Sequence, residues 1–375
     1  MGYFTIGLTL AVLPEYLHNN LAFSAMIAGI VISLQYVATF LFRSYAGKLV
    51  DTFGPKPAVL RSMIGFVVTG LLLVVIAQLE NDRMLSLVLL LMMRLLTGFS
   101  EGLVGASPIN WAIFSLGGEH TAKAISFNGI ASYGALAVGA PLGVIIYKHL
   151  GLVYIGYLII CVGAFGFFYA KSKLNIIGQS NEAPLPFLAV LKTVAPYGIC
   201  LAAGGLGFGA ISTFITLYYS YLNWQGAVLC LSVFSVMFVA ARLIFSNAIN
   251  QYGGMKTAMA CLAMELLGLA VISTAMSPGV TLIGAGLAGF GFSLVFPALG
   301  VEAVRLIPAS SQGAALGNYG LFIDLSLGCT GPLIGAVATQ FGMRYIFPFS
   351  LLIVLIGFVL AVLLNYRRSF QTTRF

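Results

Sequence analysis

The stretch Gly47–Lys56 reads GKLVDTFGPK and lies between two long apolar segments. It is polar and basic, and its two glycines accept the backbone angles that a tight turn requires. A weaker copy follows at an offset of 199 residues. The matched pairs are Arg43 with Arg242, Lys48 with Asn247, Asp51 with Asn250, Phe53 with Tyr252 and Gly54 with Gly253. The copy therefore keeps the shape of the stretch and loses its charge.

Two further pairs of segments repeat at nearly the same offset. The clearer pair matches Gly139-Ala140-Pro141-Leu142 with Thr330-Gly331-Pro332-Leu333 at an offset of 191 residues and aligns Tyr133 with Asp324. The weaker pair matches Gly102 and Pro108 with Gly291 and Pro297. Because the three pairs occur in the same order along the chain, we predict two related halves.

The composition indicates that the protein is embedded in a lipid membrane. Hydrophobic residues make up 60% of the 375-residue chain, charged residues make up 7%, and the mean hydropathy is +1.03. A soluble domain of this length could not bury so much apolar surface. The net charge of +8 is compatible with a nucleic-acid partner, but no polar domain is present to carry such a surface. All five cysteines lie within apolar runs, which predicts packing roles and no disulfide, metal or cofactor site.

Twelve apolar segments have the length of a membrane span. They run over 1–17, 24–46, 57–79, 84–107, 124–147, 152–171, 193–219, 226–249, 256–277, 280–303, 312–337 and 345–365. The fold class predicted is therefore all-α and polytopic, with about twelve helices in two pseudo-symmetric six-helix bundles. The bundles are 1–171 and 193–375, and the polar stretch 172–192 is the linker between them.

The basic residues predict how the chain lies in the membrane. The first residues, MGYFTIGLTLAVLP, lack a basic leader and a cleavage site, so we expect a first spanning helix and no signal peptide. With the amino end inside, fourteen Lys and Arg residues lie at the inner face, whereas Arg83, Lys148 and Arg344 lie outside. The positive-inside rule then predicts that both termini and the linker are cytoplasmic.

Three motifs carry a family resemblance. GKLVDTFGPK resembles the loop between the second and third helices of the major facilitator superfamily. The stretch RLLTGFSEG, from Arg94 to Gly102, resembles its fourth-helix signature. The stretch YGALAVGAPLG, from Tyr133 to Gly143, resembles its fifth-helix glycine–proline signature, with Gly134, Gly139, Pro141 and Gly143. The likeness covers the whole chain, and details such as GALAVGAPLG and FPALGVE are similar to the YfcJ/YhhS-type drug or sugar efflux branch.

The resemblance implies a conformational latch in the loop motif, formed by Gly47, Lys48, Asp51, Gly54 and Lys56. In this superfamily the acid docks near the start of the eleventh helix, which here is the segment 308–312 with its capping serines. This chain departs from the usual pattern, because Thr52 and Pro55 occupy positions where the family carries basic residues. Part of the charge network of the loop is therefore in doubt.

Buried charges are the candidates for proton coupling, since an ionisable group at the bilayer centre costs about 2.5–3.5 kcal/mol. Arg94 and Glu101 are seven residues apart, so they lie two turns apart on one face of a helix. Asp324 is the matching acid of the second half. We predict that Arg94 controls the proton affinity of a nearby acid, and either Glu101 or Asp324 carries the proton. A structural ion pair is the alternative for Arg94 and Glu101. For Glu265, in the ninth span, we favour a structural role.

Several polar side chains could line a substrate cavity. Each by itself is better explained by a hydrogen bond between packed helices, whereas together they could form a polar cavity flanked by aromatic rings. Glu15, near the outer end of the first span, could instead serve as an outer gate. The candidates are Glu15, Gln35, Asn110, Trp111, Asn128, Tyr133, Asn318 and Tyr319.

We therefore predict a monomeric, proton-coupled exporter in the bacterial inner membrane that works by alternating access. Its partners are protons, lipid and a small organic substrate such as a drug, a sugar-like compound or a metal-chelating metabolite. One alternative is a proton symporter that imports a nutrient or an iron–siderophore. A membrane enzyme or sensor is the other alternative, but the sequence contains no catalytic cluster and no nucleotide-binding loop.

Overall fold

The computed structural model describes residues 1–79, 82–116, 121–176, 186–245, 247–307 and 312–372. Every regular element within these ranges is helical, so the all-α prediction is confirmed. The chain divides into two compact units, Met1–Ser180 and Asn181–Phe375. Eleven helices of the described part are long and apolar enough to cross a membrane.

The described residues of each unit form a set of long helices joined by short turns. Unit 1 contains α1 (Gly2–Leu10), α2 (Val12–Glu15), a π-helical turn (Tyr16–Asn20), α3 (Ala25–Phe53), α4 (Pro55–Ile76), α5 (Arg83–Leu116), α6 (Thr121–Leu150) and α7 (Leu152–Lys171). Unit 2 contains α8 (Phe187–Tyr221), α9 (Ala227–Ile244), α10 (Ala248–Tyr252), α11 (Gly254–Ser273), α12 (Pro278–Phe292), α13 (Val295–Val304), α14 (Gln312–Gln340), a 3-10 turn (Met343–Tyr345) and α15 (Ile346–Thr372).

The predicted first span differs most from expectation. Residues 1–17 are helical but are divided between α1, α2 and the π-helical turn, with a break at Ala11. Pro14 explains the break, because proline has no N–H to donate to the carbonyl of Leu10 and its ring crowds that carbonyl. The segment is therefore not among the eleven candidate spans.

The internal repeat is visible in the backbone of the turns. Gly54 and Gly253 have φ values of 82° and 84°, and each lies directly before a long helix. Gly151 and Gly342, at the offset of 191 residues, have φ values of 96° and 102°. All four have ψ between 155° and 176°, a region that is open essentially to glycine alone. The two offsets therefore mark equivalent turns in the two units.

The motif GKLVDTFGPK is mostly helical. We expected its two glycines to form the turn between α3 and α4, but Gly47 lies within α3, which continues to Phe53. Nothing in the sequence interrupts the helix before Gly54, and Pro55 then begins α4 at the position where proline is favoured. The turn is consequently confined to Gly54.

The segment that follows α7 fastens this turn. The side chain of Asn175 donates to the carbonyl of Phe53 at 2.7 Å and accepts from the N–H of Lys56 at 3.2 Å. The Lys56 ammonium donates to the carbonyls of Lys171 at 2.7 Å and Lys173 at 2.6 Å, at the carboxyl end of α7. A cation is stabilised there by the helix dipole. The start of the predicted linker is therefore bound to unit 1.

We expect Gly54→Ala to destabilise the protein by about 1–3 kcal/mol, because alanine is strained at this φ and ψ. The added Cβ would also lie 2.6 Å from the Asn175 side chain. Gly47→Ala is the matched control, since Gly47 is helical and a Cβ there meets nothing within 4 Å. Thermal unfolding of both purified variants measures the difference. Equal midpoints for the two variants would contradict this account of the turn.

Candidate functional site

A buried arginine lies at the centre of unit 1. Arg94 is on α5 and has no solvent-exposed surface. Its Nη1 donates a short hydrogen bond to Oε1 of Gln35 on α3 and a longer one, 3.4 Å, to the hydroxyl of Thr9 on α1. Its Nε and Nη2 have no hydrogen-bond partner among the described residues. The guanidinium is thus held at one edge only.

Glu101 lies two turns further along α5 and is also buried, at 7% exposure. Its Oε2 accepts hydrogen bonds from Nε2 of Gln35 at 2.9 Å and from the hydroxyl of Thr39 at 3.0 Å. Both donors are on α3. The carboxylate is thus tied to α3 through one of its oxygens.

The amide of Gln35 bridges the two charged side chains. Its oxygen faces the Arg94 guanidinium and its nitrogen faces the Glu101 carboxylate, which is the one orientation that satisfies both. We call Arg94, Gln35 and Glu101 the polar bridge. Protonation of Glu101 would change the carboxyl group to which the Gln35 nitrogen donates. It would thereby affect the hydrogen bond between Gln35 and Arg94.

Glycines on α5 bring the bridge together. A Cβ at Gly98 would collide with the backbone carbonyl of Gln35, and a Cβ at Gly102 would lie 3.2 Å from the carbonyl of Thr39. The absence of side chains at these two positions lets the backbones of α3 and α5 touch. This close approach of the two backbones allows polar side chains of α3 and α5 to form hydrogen bonds with each other in a membrane.

The glycine–proline motif of α6 packs on α1. A Cβ at Gly139 would lie 2.7 Å from the carbonyl oxygen of Phe4, and a Cβ at Gly143 would collide with that of Leu8. A Cβ at Gly134 would meet nothing within 4 Å, and Pro141 lies inside the helix. Two of the three motif glycines are therefore required for close contact with the helix that carries Thr9.

The predicted acid of the second half belongs to unit 2. Asp324 lies on α14 and is 6% exposed. Tyr319 on the same helix is fully buried and its hydroxyl donates to the carbonyl of Phe296 at 3.0 Å. Asn318 is buried beside it. Asp324 and the polar bridge are thus in different units.

The other predicted cavity residues are divided between several environments. Gln35 is part of the polar bridge and is 1% exposed, so it does not line open space in this conformation. The indole N–H of Trp111 donates to the carbonyl of Leu174 at 3.1 Å, after α7. Three candidates, Glu15, Asn110 and Asn128, are partly exposed. The side chain of Tyr133 lies outside the described residues.

Two features of the predicted latch lie outside the described residues. These are the side chains of Lys48 and Asp51 and the segment 308–311. The contact expected between Asp51 and the start of α14 therefore stays a prediction. Of the remaining latch residues, Gly47 lies within α3 and Gly54 forms the turn. Lys56 lies on α4, and its ammonium donates to the carboxyl end of α7.

Sequence reasoning missed the residues that complete these contacts. Thr39 lies one turn after Gln35, so its spacing placed it on the same face of α3. Nothing in the sequence signalled Thr9 or Asn175, because their partners are more than 80 residues away. Among the described residues, no group of three or more His, Cys, Asp or Glu side chains could hold a metal ion.

Comparison with known proteins gives a consistent result over the whole chain. The family model described as Major Facilitator Superfamily matches residues 1–246 and 197–375. An uncharacterized MFS-type transporter of Pseudomonas aeruginosa is 53% identical over 367 residues, which cover 98% of this chain and 91% of the relative. A second such transporter, of Burkholderia pseudomallei, is 45% identical over 367 residues, which cover 98% of this chain and 90% of the relative.

Two solved structures share the fold. The human organic anion transporter MFSD10 superposes with a TM-score of 0.74 at 15% identity, covering 96% of both chains. The nucleoside transporter NupG superposes with a TM-score of 0.71 at 16% identity, covering 96% of this chain and 95% of that one. At such low identities the likeness concerns the fold alone.

Proposed function

This chain belongs to the major facilitator superfamily, and from that premise we propose that it is a proton-coupled exporter of a small organic molecule that works by alternating access. The family and its relatives are multi-pass membrane transporters and not enzymes. Proton coupling, the direction of transport and the substrate class are our proposals, as are the YfcJ/YhhS-type branch, the monomeric state and an inner-membrane location with both termini cytoplasmic.

The polar bridge is the single observation that carries proton coupling. Glu101 is a buried acid joined to the buried cation Arg94 through one amide. Proton uptake by Glu101 would neutralise the carboxylate and leave Arg94 as an uncompensated charge in a low-dielectric interior. That state is costly, and a substrate or a conformational change that relieves the cost becomes coupled to the proton. Asp324 remains the second candidate for the proton carrier.

Export and the substrate class rest on the α6 motif and on the structural neighbours. The glycine–proline motif of α6 resembles the fifth-helix signature typical of antiporters and exporters. MFSD10 is an organic anion transporter and NupG is a nucleoside transporter, and both kinds of substrate are small organic molecules. The substrates we propose are accordingly small organic molecules, such as drugs, sugar-like compounds or metal-chelating metabolites. A proton symporter that imports a nutrient or an iron–siderophore would use the same bridge with the opposite coupling.

The test is a flux measurement on purified protein in liposomes that contain a pH-sensitive dye. Candidate substrates come from comparing the secreted metabolites and drug susceptibility of a strain that lacks the protein with those of its parent. An imposed proton gradient should drive substrate and protons in opposite directions. Co-directional movement would refute export by antiport and support the symporter. Turnover of a substrate without movement would refute transport.

We expect Glu101→Gln to lower substrate-coupled proton flux by at least about tenfold, equivalent to 1.4 kcal/mol. Glutamine keeps the volume of the side chain but cannot take up a proton. Asp82→Asn is the matched control, because Asp82 is exposed and caps the first turn of α5, a role that asparagine performs equally well. Unchanged proton flux in Glu101→Gln would exclude Glu101 as the proton carrier.

A further inference from the structure

Unit 2 contains a buried acid that the polar bridge does not explain. Glu265 lies on α11 and is 1% exposed, as the sequence predicted. Neither of its carboxylate oxygens has a hydrogen-bond partner among the described residues. Buried polar atoms normally have a partner, so this side chain requires a specific explanation.

Glycines of the neighbouring helix form a cradle around this carboxyl group. A Cβ at Gly204 on α8 would lie 3.0 Å from Oε2 of Glu265, and a Cβ at Gly207 would lie 2.5 Å from Oε1. On the other side, Gly291 of α12 packs against the backbone of Glu265. Alanines in these places would fill the space that the carboxyl group occupies. The cradle is therefore shaped for the acid.

The repeat within the chain shows that the fold does not require an acid here. Glu265 lies twelve residues after the turn glycine Gly253, and Phe66 lies twelve residues after the turn glycine Gly54. Phe66 is fully buried, and its ring is packed against Gly2 of α1. The same position is thus filled by an apolar ring in unit 1 and by a carboxyl group in unit 2. A role in packing alone would be met by an apolar side chain.

The surroundings of Glu265 decide its charge in this conformation. A carboxylate that is buried without hydrogen bonds or a counter-ion is far more costly than the neutral acid. The Cβ position of Gly207 that faces Oε1 also lies 3.0 Å from Val354 of α15 and 3.2 Å from Leu269 of α11, so the side chains beside the cradle are apolar. The neighbouring titratable group is the thiol of Cys261, one turn earlier on α11. The acid is therefore protonated in the conformation described.

We propose that Glu265 is a second proton-binding site, which holds an exchangeable proton in the glycine cradle of α8. This inference rests on the proposed function for its place in a transport cycle. Two further glycines of α8, Gly205 and Gly209, face Ser326 and Thr330 of α14, the helix that carries Asp324. A displacement of α8 would consequently alter the surroundings of both α11 and α14, which carry Glu265 and Asp324.

The first test is chemical labelling with dicyclohexylcarbodiimide, which modifies protonated carboxyl groups in apolar sites. The whole protein, in lipid nanodiscs at neutral pH, is treated and its peptides are identified by mass spectrometry. We expect label on Glu265 at least about tenfold above that on Glu302. Glu302 is the matched control, because it is 3% exposed yet accepts from the N–H of Gly254 at 3.0 Å and pairs with Arg305. Equal labelling of the two acids would overturn the proposal.

The second test is infrared spectroscopy of the same nanodiscs. We expect a carbonyl band of a protonated acid that is lost in Glu265→Gln and shifts when the protein is transferred to D2O. Glu265→Met serves as a second variant if the glutamine protein fails to fold. A band that never exchanges would identify a sealed structural acid and refute the site. These readouts do not depend on flux, so a failure of proton-coupled transport would refute the proposed function and leave the protonation result standing.

Discussion

Replacing Arg94 with methionine is expected to abolish transport, with a loss of at least about a hundredfold, and to destabilise the protein by about 3–5 kcal/mol. Methionine matches the length of the aliphatic stem but removes the cation. Gln35 then loses the donor at its amide oxygen, and the buried Glu101 loses the charge to which the amide links it. Thermal unfolding in detergent and proton flux in liposomes measure the two effects.

The double variant Arg94→Met with Glu101→Gln separates stability from transport. It contains neither buried charge, so it should recover much of the unfolding temperature while remaining inactive. Arg94→Lys keeps the charge but not the planar guanidinium whose Nη1 donates to both Gln35 and Thr9, and we expect partial stability with impaired flux. If Arg94→Met unfolded and transported like the parent protein, the polar bridge would have no role.

Gly143→Ala is the second substitution with a large expected effect. The added Cβ would collide with the backbone carbonyl of Leu8 and lie 2.9 Å from its Cα. A backbone cannot yield as a flexible side chain does, so α1 and α6 must separate, at a cost of about 1–3 kcal/mol. Because α1 carries Thr9, which accepts from Arg94, transport should fall together with the unfolding temperature.

The control for this substitution lies on the same helix and in the same motif. Gly134→Ala adds a Cβ that meets nothing within 4 Å. Alanine is also the better helix former by roughly 0.5–1 kcal/mol, so the variant should be neutral or slightly stabilised. If both alanine variants lost stability equally, close packing of α6 on α1 would not be the reason for the motif.

Much of the fold could be predicted from local features of the sequence. In lipid every backbone polar group must be satisfied within its own segment, so an apolar run of spanning length becomes a helix wherever it occurs. The turn at Gly54 was also predictable, because the Gly-Pro pair ends one helix and begins the next. Pro14 also indicated the break in the first span, although residues 1–17 were predicted as one helix. The offsets of 199 and 191 residues identified the repeat before any turn geometry was known.

The positions of the buried charges could be predicted from the chain, whereas their contacts depend on how the helices pack. Arg94, Glu101 and Glu265 each lie within an apolar run, and hydropathy alone places them in the membrane. Their surroundings depend on which helix faces meet, and those faces come from segments far apart in the chain. Gln35 joins Arg94 and Glu101 because glycines let α3 and α5 touch, whereas Glu265 lies against glycines and has no hydrogen-bond partner in the part of the chain that the structure describes. The spacing of residues along one helix does not show which residues of a second helix they will contact.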